Sequence, residues 1–457
     1  MRSLSAGGVL AGFLLGLGLW AALPTGAASG PVAPAIGADA PAAVPAAFIR
    51  PAAVPFPADN PYSPEKAALG ERLFFDPRLS GGDGMACAAC HDPARGWSDG
   101  VPLGRGEPGT VLTRRTPAIP DLAWGRLFFW DGRAASLEEQ ALGPIASPVE
   151  MAQDLASLPA ELAADPDYPA LFRAAFPESG GRITVQDAAR ALATFQRTVR
   201  TAESPFDRWA AGDQAAVTEE AKRGFALFTG AAGCANCHAG WRFTDDAFHD
   251  IGLPSTDRGR GAVLGDTAAD HAFKTPSLRD AARRAPYMHD GSLPDLAAVI
   301  EHYATGIVGR PGLSEDLPRR LDLGARDKAD LLAFLESLTG DAPATAAPPA
   351  VAATAPVPPP AAGSAPALVT VSQKDRAFAP ALIRLSAGGS LEVLNDDTRR
   401  HNVRVSEPNL EVNTGIQRPG ETVHIRFPEP GRYGAYCGIH PEMRLTVEVA
   451  PPPGARR

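Results

Sequence analysis

Residues able to bind metals are scarce here: 457 positions hold five cysteines, nine histidines and five methionines. The cysteines fall in Cys87-Ala-Ala-Cys90-His91, Cys234-Ala-Asn-Cys237-His238 and Cys437-Gly-Ile-His440-Pro-Glu-Met443, so once those motifs take their share none is left for a disulfide. Runs of basic residues are absent and the net charge is −9, which argues against a nucleic-acid surface. Long hydrophobic runs are also lacking. The one apolar stretch, from Val9 to Leu23, is short and glycine-rich for a membrane span. Arg2 before it and Gly26-Ala27-Ala28 after it have the anatomy of a signal peptide over residues 1–28. Export to the periplasm is the expectation, and a membrane contact arises only if that segment is retained.

What is present is redox chemistry. In C-x-x-C-H two thiols become thioethers to haem vinyl groups and the adjacent imidazole reaches the iron, so one porphyrin edge dictates the spacing. Two such motifs imply two haem c, held by Cys87, Cys90 and His91 and by Cys234, Cys237 and His238. Redox C-x-x-C pairs are the alternative, and they leave both adjacent histidines unexplained. Between His91 and His238 there is no other histidine and only Met151 as a methionine, so the first iron has no obvious sixth ligand. An open coordination position separates catalysis from electron carriage.

Composition divides the chain. Residues 29–58 and 342–366 are Pro/Ala-rich and read as linkers around two helical haem units, 59–210 and 211–341. Ser63-Pro64, Ser136-Leu-Glu-Glu139, Thr184, Thr218 and Arg326 read as helix starts, the last three before amphipathic stretches 185–201, 219–229 and 327–338. From 367 to 451 the pattern alternates, as in Leu391-Glu-Val-Leu394 and Thr446-Val-Glu-Val449, and predicts a β-sandwich. The expected fold class is multidomain: mainly α tandem cytochrome domains followed by an all-β cupredoxin. Type 1 copper takes two imidazoles, a thiolate and a weak thioether. Cys437, His440 and Met443 supply three from one loop and His401, on a distant strand, the fourth; His424 reads as a surface residue. The short loop resembles amicyanin and other plastocyanin-like cupredoxins, and a cupredoxin fold without metal is the alternative.

Leu73-Phe-Phe-Asp-Pro-Arg-Leu79, Phe129-Trp-Asp-Gly-Arg133, Lys274-Thr-Pro-Ser-Leu-Arg279 and Pro286-Tyr-Met-His-Asp-Gly291 span roughly residues 60–340 and resemble the bacterial di-haem cytochrome c peroxidase and MauG family. The resemblance implies that Trp130 lies between the haems and relays electrons, with a core tryptophan as the plain alternative. It also implies a distal pocket in which Gln140 orients peroxide and Glu150 is the acid/base; the plain alternative for Glu150 is a capping box, Ser147-Pro-Val-Glu150. Two departures matter. The histidine that holds many family members inactive is replaced by Glu107, so no reductive activation is expected. The methionine ligand of the second haem is replaced by Tyr303, as in MauG, and a phenolate lowers the haem potential; His302 and Met288 are alternative ligands. His249, His271 and His289 could meet haem propionates or serve as structural hydrogen bonders. The family's calcium between the haems uses an asparagine where this chain has Arg115; a guanidinium cannot ligate a cation and can replace its charge, which counts against calcium.

Three functions follow. The first is a peroxidase reducing hydrogen peroxide at the His91 haem, with electrons from a soluble periplasmic donor relayed by the tethered copper domain, the second haem and Trp130. A tether of about 25 residues raises the effective donor concentration, so docking need not be tight. The second is a MauG-like enzyme oxidising a partner protein at long range. The third is an electron carrier without catalysis, against which Gln140 and Glu150 argue.

Overall fold

The structure is a computed structural model describing residues 43–107, 109–318, 321–351, 368–407, 410–440 and 442–451. The expected signal segment, the first part of the first linker and most of the second lie outside the described residues. No helix among those described is long and apolar enough to cross a membrane.

Each haem unit is built on one crossed pair of helices. Pro64–Phe74 packs on Val185–Thr198, and Glu219–Thr229 on Ala325–Ser337. A glycine sits at both crossings. A side chain on Gly70 would stand 2.0 Å from the Ala191 carbonyl oxygen, and one on Gly224 would stand 1.9 Å from that of Asp330, so only hydrogen permits the approach. The caps follow the sequence: Ser63, Thr184 and Thr218 side chains accept from backbone N–H groups of the first turns. The last helix begins earlier than expected, at Ala325, because the Asp327 carboxylate accepts from the Gly324 N–H at 2.9 Å. Two apolar cores result. One gathers Leu69, Phe74, Trp97, Phe172 and Phe195; the other gathers Phe206, Phe225, Phe228, Phe243 and Phe334.

The stretches expected as linkers are tied to the haem units at several points. Phe48 is buried against Phe225 and Phe243, and Arg50 donates to the Thr201 carbonyl at 2.6 Å. Val54 is fully buried and bridges Val351, while Thr345–Ala346 pairs with Val199–Arg200. Scattered apolar residues in a proline-rich stretch were enough to hold it down.

The C-terminal region is a two-sheet sandwich. One sheet runs Leu410–Asn413, Arg404–Glu407, Gly431–Tyr436, Arg444–Ala450, Leu382–Ser386; the other runs Thr422–Arg426, Ser390–Asn395, Leu368–Lys374, Ala377–Ala379. Alternate residues such as Val371, Leu391, Val393, Val405, Leu445 and Val447 fill the space between them. The sandwich rests on the second haem unit. Arg376 pairs with Asp245 at 3.0 Å and Asp316 at 3.3 Å, Arg399 pairs with Asp316 at 2.8 Å, and the Phe248 N–H donates to Ile439 O at 3.1 Å.

Candidate active site and metal centre

The two attachment motifs solve the same local problem alike. Each folds into a single turn, Cys87–Cys90 or Cys234–Asn236, in which the histidine N–H donates to the first cysteine's carbonyl. His91 Nδ1 lies 3.3 Å from Trp97 O and His238 Nδ1 lies 2.8 Å from Phe243 O. A donating Nδ1 leaves Nε2 as the lone-pair nitrogen, the tautomer and orientation an iron ligand needs. Both histidines are held below their ordinary pKa by burial and stay neutral. One continuous cavity is lined by His91, Trp130, Gln140, His238, His249 and Tyr303. Its walls are mostly apolar, Leu122 and Phe128 on one side and Leu296, Ile300 and Leu335 on the other. Residues and cavity fit two haem c.

Between the two histidines lies an internal repeat that the motif spacing concealed. Residues 115–144 match 274–303 at a constant offset of 159, whereas the C-x-x-C-H motifs are 147 apart. Asp121 and Asp280 both adopt left-handed backbone ahead of a short turn, Phe128 bridges Ala134 as Tyr287 bridges Leu293, and Ser136 and Asp295 both cap the following helix. Arg115 N–H donates to His289 O at 2.7 Å, and Lys274 N–H, its counterpart, donates to Trp130 O at 2.8 Å. Such reciprocal contacts are what a local two-fold relation produces. Trp130 sits on that relation, with its indole N–H donating to Arg115 O at 2.8 Å. The Arg115 guanidinium donates to Arg284 O and Ser98 Oγ, a fixed cation on the residue that replaces the family's asparagine.

Glu150 stands in a turn after the helix Leu137–Ala146, so the alternative reading of Ser147 to Glu150 as a capping box is wrong: the Glu150 N–H donates to Ser147 O and no helix starts there. Burial raises the pKa of its carboxyl, with Arg133 opposing. Glu107 N–H donates to Glu150 O at 2.6 Å, so the residue replacing the expected histidine braces the turn. Met151 is buried in the first core. On the second side, Leu296–Glu301 passes into a π-helical turn, His302–Gly306. Such turns recur at functional sites. Tyr303 points into the cavity from it, and burial raises its pKa. His302 is turned away, its Nε2 3.0 Å from Ile251 O, while Met288 also lines the cavity. His271 Nδ1 lies 2.9 Å from Asp257 O, and His289 stacks on Phe273 at 3.6 Å.

In the sandwich His401, Cys437, His440 and Met443 converge, all buried. Cys437 Sγ is 3.8 Å from each histidine Nδ1, and the two Nδ1 atoms are 3.0 Å apart. His401 Nε2 meets Asp397 Oδ2 at 3.1 Å, which fixes its tautomer. Two imidazoles, a thiolate and a thioether suit copper. His424 is exposed and faces Glu392. Sequence reasoning missed the partner of this site. His249 lines the haem cavity, is held by Asp245 at 3.0 Å and Ser314 at 2.9 Å, and its ring centroid is 6.3 Å from that of His440. Cys237, Asp245 and His249 also cluster, but that sulfur is committed to haem by its motif.

These features define a di-haem oxidoreductase joined to a cupredoxin-like domain. Residues 64–215 match the di-haem cytochrome c peroxidase family model, and residues 347–449 match the cupredoxin-like domain model. The methylamine utilization protein MauG of Methylorubrum extorquens is 52% identical over 303 residues, covering 66% of this chain and 85% of that protein. The cytochrome-c peroxidase IdrP1 of Pseudomonas sp. (strain SCT) is 38% identical over 64% of this chain and 85% of its own length. A crystal structure of a MauG-like protein associated with microbial copper homeostasis superposes with a TM-score of 0.60 at 34% identity, covering 65% of this chain and 95% of that one. The chain belongs to the di-haem cytochrome c peroxidase and MauG family.

Proposed function

We propose that the protein reduces hydrogen peroxide to water in the cavity beside His91 and that its cupredoxin domain, holding one type 1 copper through His401, Cys437, His440 and Met443, delivers the electrons. The observation that carries this reading is the docking: a ring of the copper-ligand set faces His249, which lines the haem cavity. Haem iron on His91 would supply the binding site for peroxide. Reduction to two waters consumes two electrons and two protons. The Glu150 carboxylate takes the proton from the near peroxide oxygen and returns it to the leaving one, and Gln140 orients the molecule. Trp130 links the two haem units, and Tyr303 would be the residue that holds the iron of the second haem from the cavity wall. A soluble donor reduces the copper, and the proposed compartment is the periplasm, which suits haem attachment outside the cytoplasmic membrane.

A second reading, long-range oxidation of a partner protein, is favoured by Tyr303 on its π-turn and by the MauG relative. Anaerobic stopped-flow absorbance decides between them, mixing one equivalent of peroxide with protein whose haems are ferric and whose copper is reduced. Growth of a blue Cu(II) band as the peroxide is consumed supports the peroxidase. Haem oxidised beyond the ferric state and persisting beside reduced copper favours the second reading, and absence of any reaction removes both.

A further inference from the structure

Arg260 belongs to the second haem unit, yet its side chain ends at the metal-ligand loop of the sandwich. It is 1% exposed and lies across the Phe248 ring, 4.5 Å from guanidinium carbon to ring centroid. Nε donates to Gly438 O at 2.9 Å, and Nη1 donates to Asp131 O at 2.9 Å and Gly132 O at 2.8 Å. All three acceptors are backbone carbonyls. The carboxylate closest in sequence to them, that of Asp131, is taken by Arg114 at 2.6 Å and Arg133 at 3.0 Å. A buried guanidinium ordinarily has a carboxylate partner, because the Coulomb attraction of a partner offsets the cost of taking a lone charge out of water. Burial lowers the pKa of Arg260 to about 10, so the group remains cationic at neutral pH.

The position of that charge is informative. Gly438 follows Cys437 directly, and its N–H donates to Asn402 Oδ1 at 2.5 Å, beside His401. Gly438, between the thiolate and imidazole ligands, is therefore gripped from both sides, by the sandwich at its N–H and by the haem unit at its carbonyl. The same guanidinium holds the loop that carries Trp130.

We propose that Arg260 is a positioning residue of the copper site supplied by the haem region, and that its buried charge raises the copper's reduction potential. The inference rests on the reading that His401, Cys437, His440 and Met443 hold copper. Oxidised copper carries one more positive charge than reduced copper, and a fixed cation at short range in a medium of low dielectric disfavours the oxidised form. Hydrogen bonding around the cysteine ligand is a known lever on such potentials. The docked domain then keeps its electron until the haem side has been oxidised.

The test is a redox titration of the blue band in full-length, haem-loaded protein, comparing wild type with Arg260→Gln, Arg260→Met and Arg260→Lys. Gln keeps a donor, Met keeps the apolar stem on Phe248, and Lys keeps the charge. A lower midpoint potential in Gln or Met, with the band position retained and Lys restoring the wild-type midpoint, is expected. A blue Gln or Met variant with the wild-type midpoint overturns the inference alone. A wild-type protein that takes up copper without a blue band overturns the copper reading and this inference with it.

Discussion

The two haem units share a scaffold and differ on one wall. Attachment turn, carbonyl acceptor for Nδ1, capped helix and reciprocal N–H···O contacts recur in both. Along the repeat the side chains diverge. At equivalent places stand Gln140 and Val299, Trp130 and His289, and Pro144 and Tyr303. Pro144 lies within an α-helix of ten residues and offers no donor or ligand atom on its side chain; Tyr303 is swung inward by a π-turn. The attachment geometry is shared, and the difference lies in the side chains around it: Gln140 in the cavity wall of the first unit with the half-buried Glu150 in the turn beyond, and Tyr303 in the wall of the second unit, against which the sandwich docks.

That contrast can be broken from either side. The largest effect is expected from Glu150→Gln, which should slow peroxide turnover by about 10²- to 10⁴-fold while both haem spectra stay as in wild type. Because burial raises this carboxyl's pKa and the carboxylate is the form that accepts the peroxide proton, wild-type activity should fall as pH drops through a value above the ordinary ~4.3. That acid limb should be missing from the variant's pH–rate profile. Asp316→Asn acts on the other side, removing the carboxylate shared by Arg376 and Arg399. Leaving those cations short of a partner should cost about 1–3 kcal/mol of docking. A roughly tenfold slower copper-to-haem electron transfer, worsened by salt, is expected in flash or stopped-flow kinetics. Tyr303→Phe should have the smallest effect on the chain as a whole, altering the absorption and potential of the second haem and sparing the first. Unaltered spectra would transfer the ligand role to Met288.

Legibility followed the range of the chemistry. Haem attachment and the proposed one-loop copper site impose spacing along the chain, so Cys87 to His91, Cys234 to His238 and Cys437 to Met443 stand out as local motifs. Cap residues such as Ser63, Thr184 and Thr218 were legible for the same local reason. The internal repeat was not, because the stretch from His238 to His289 is twelve residues longer than that from His91 to Trp130, which leaves no single period to detect. Glu150 looked like part of a capping box because Ser-Pro-x-Glu suits a helix start as well as a turn, and only the surrounding packing decided. The docking surface joins Arg260 to Gly438, Phe248 to Ile439 and Arg376 to Asp245, pairs separated by well over a hundred residues, and no local pattern marks such partners.

Val54, at the start of the haem region, bridges Val351 at its end, with its N–H donating to Ala350 O at 2.7 Å. The pair of cytochrome units is therefore a cassette whose entry and exit emerge side by side. Such a module can be spliced between other sequences, or permuted by joining its ends, with little disturbance inside. The bridge between Val54 and Val351 thus closes the two haem units into one loop of chain, tied where it begins and ends.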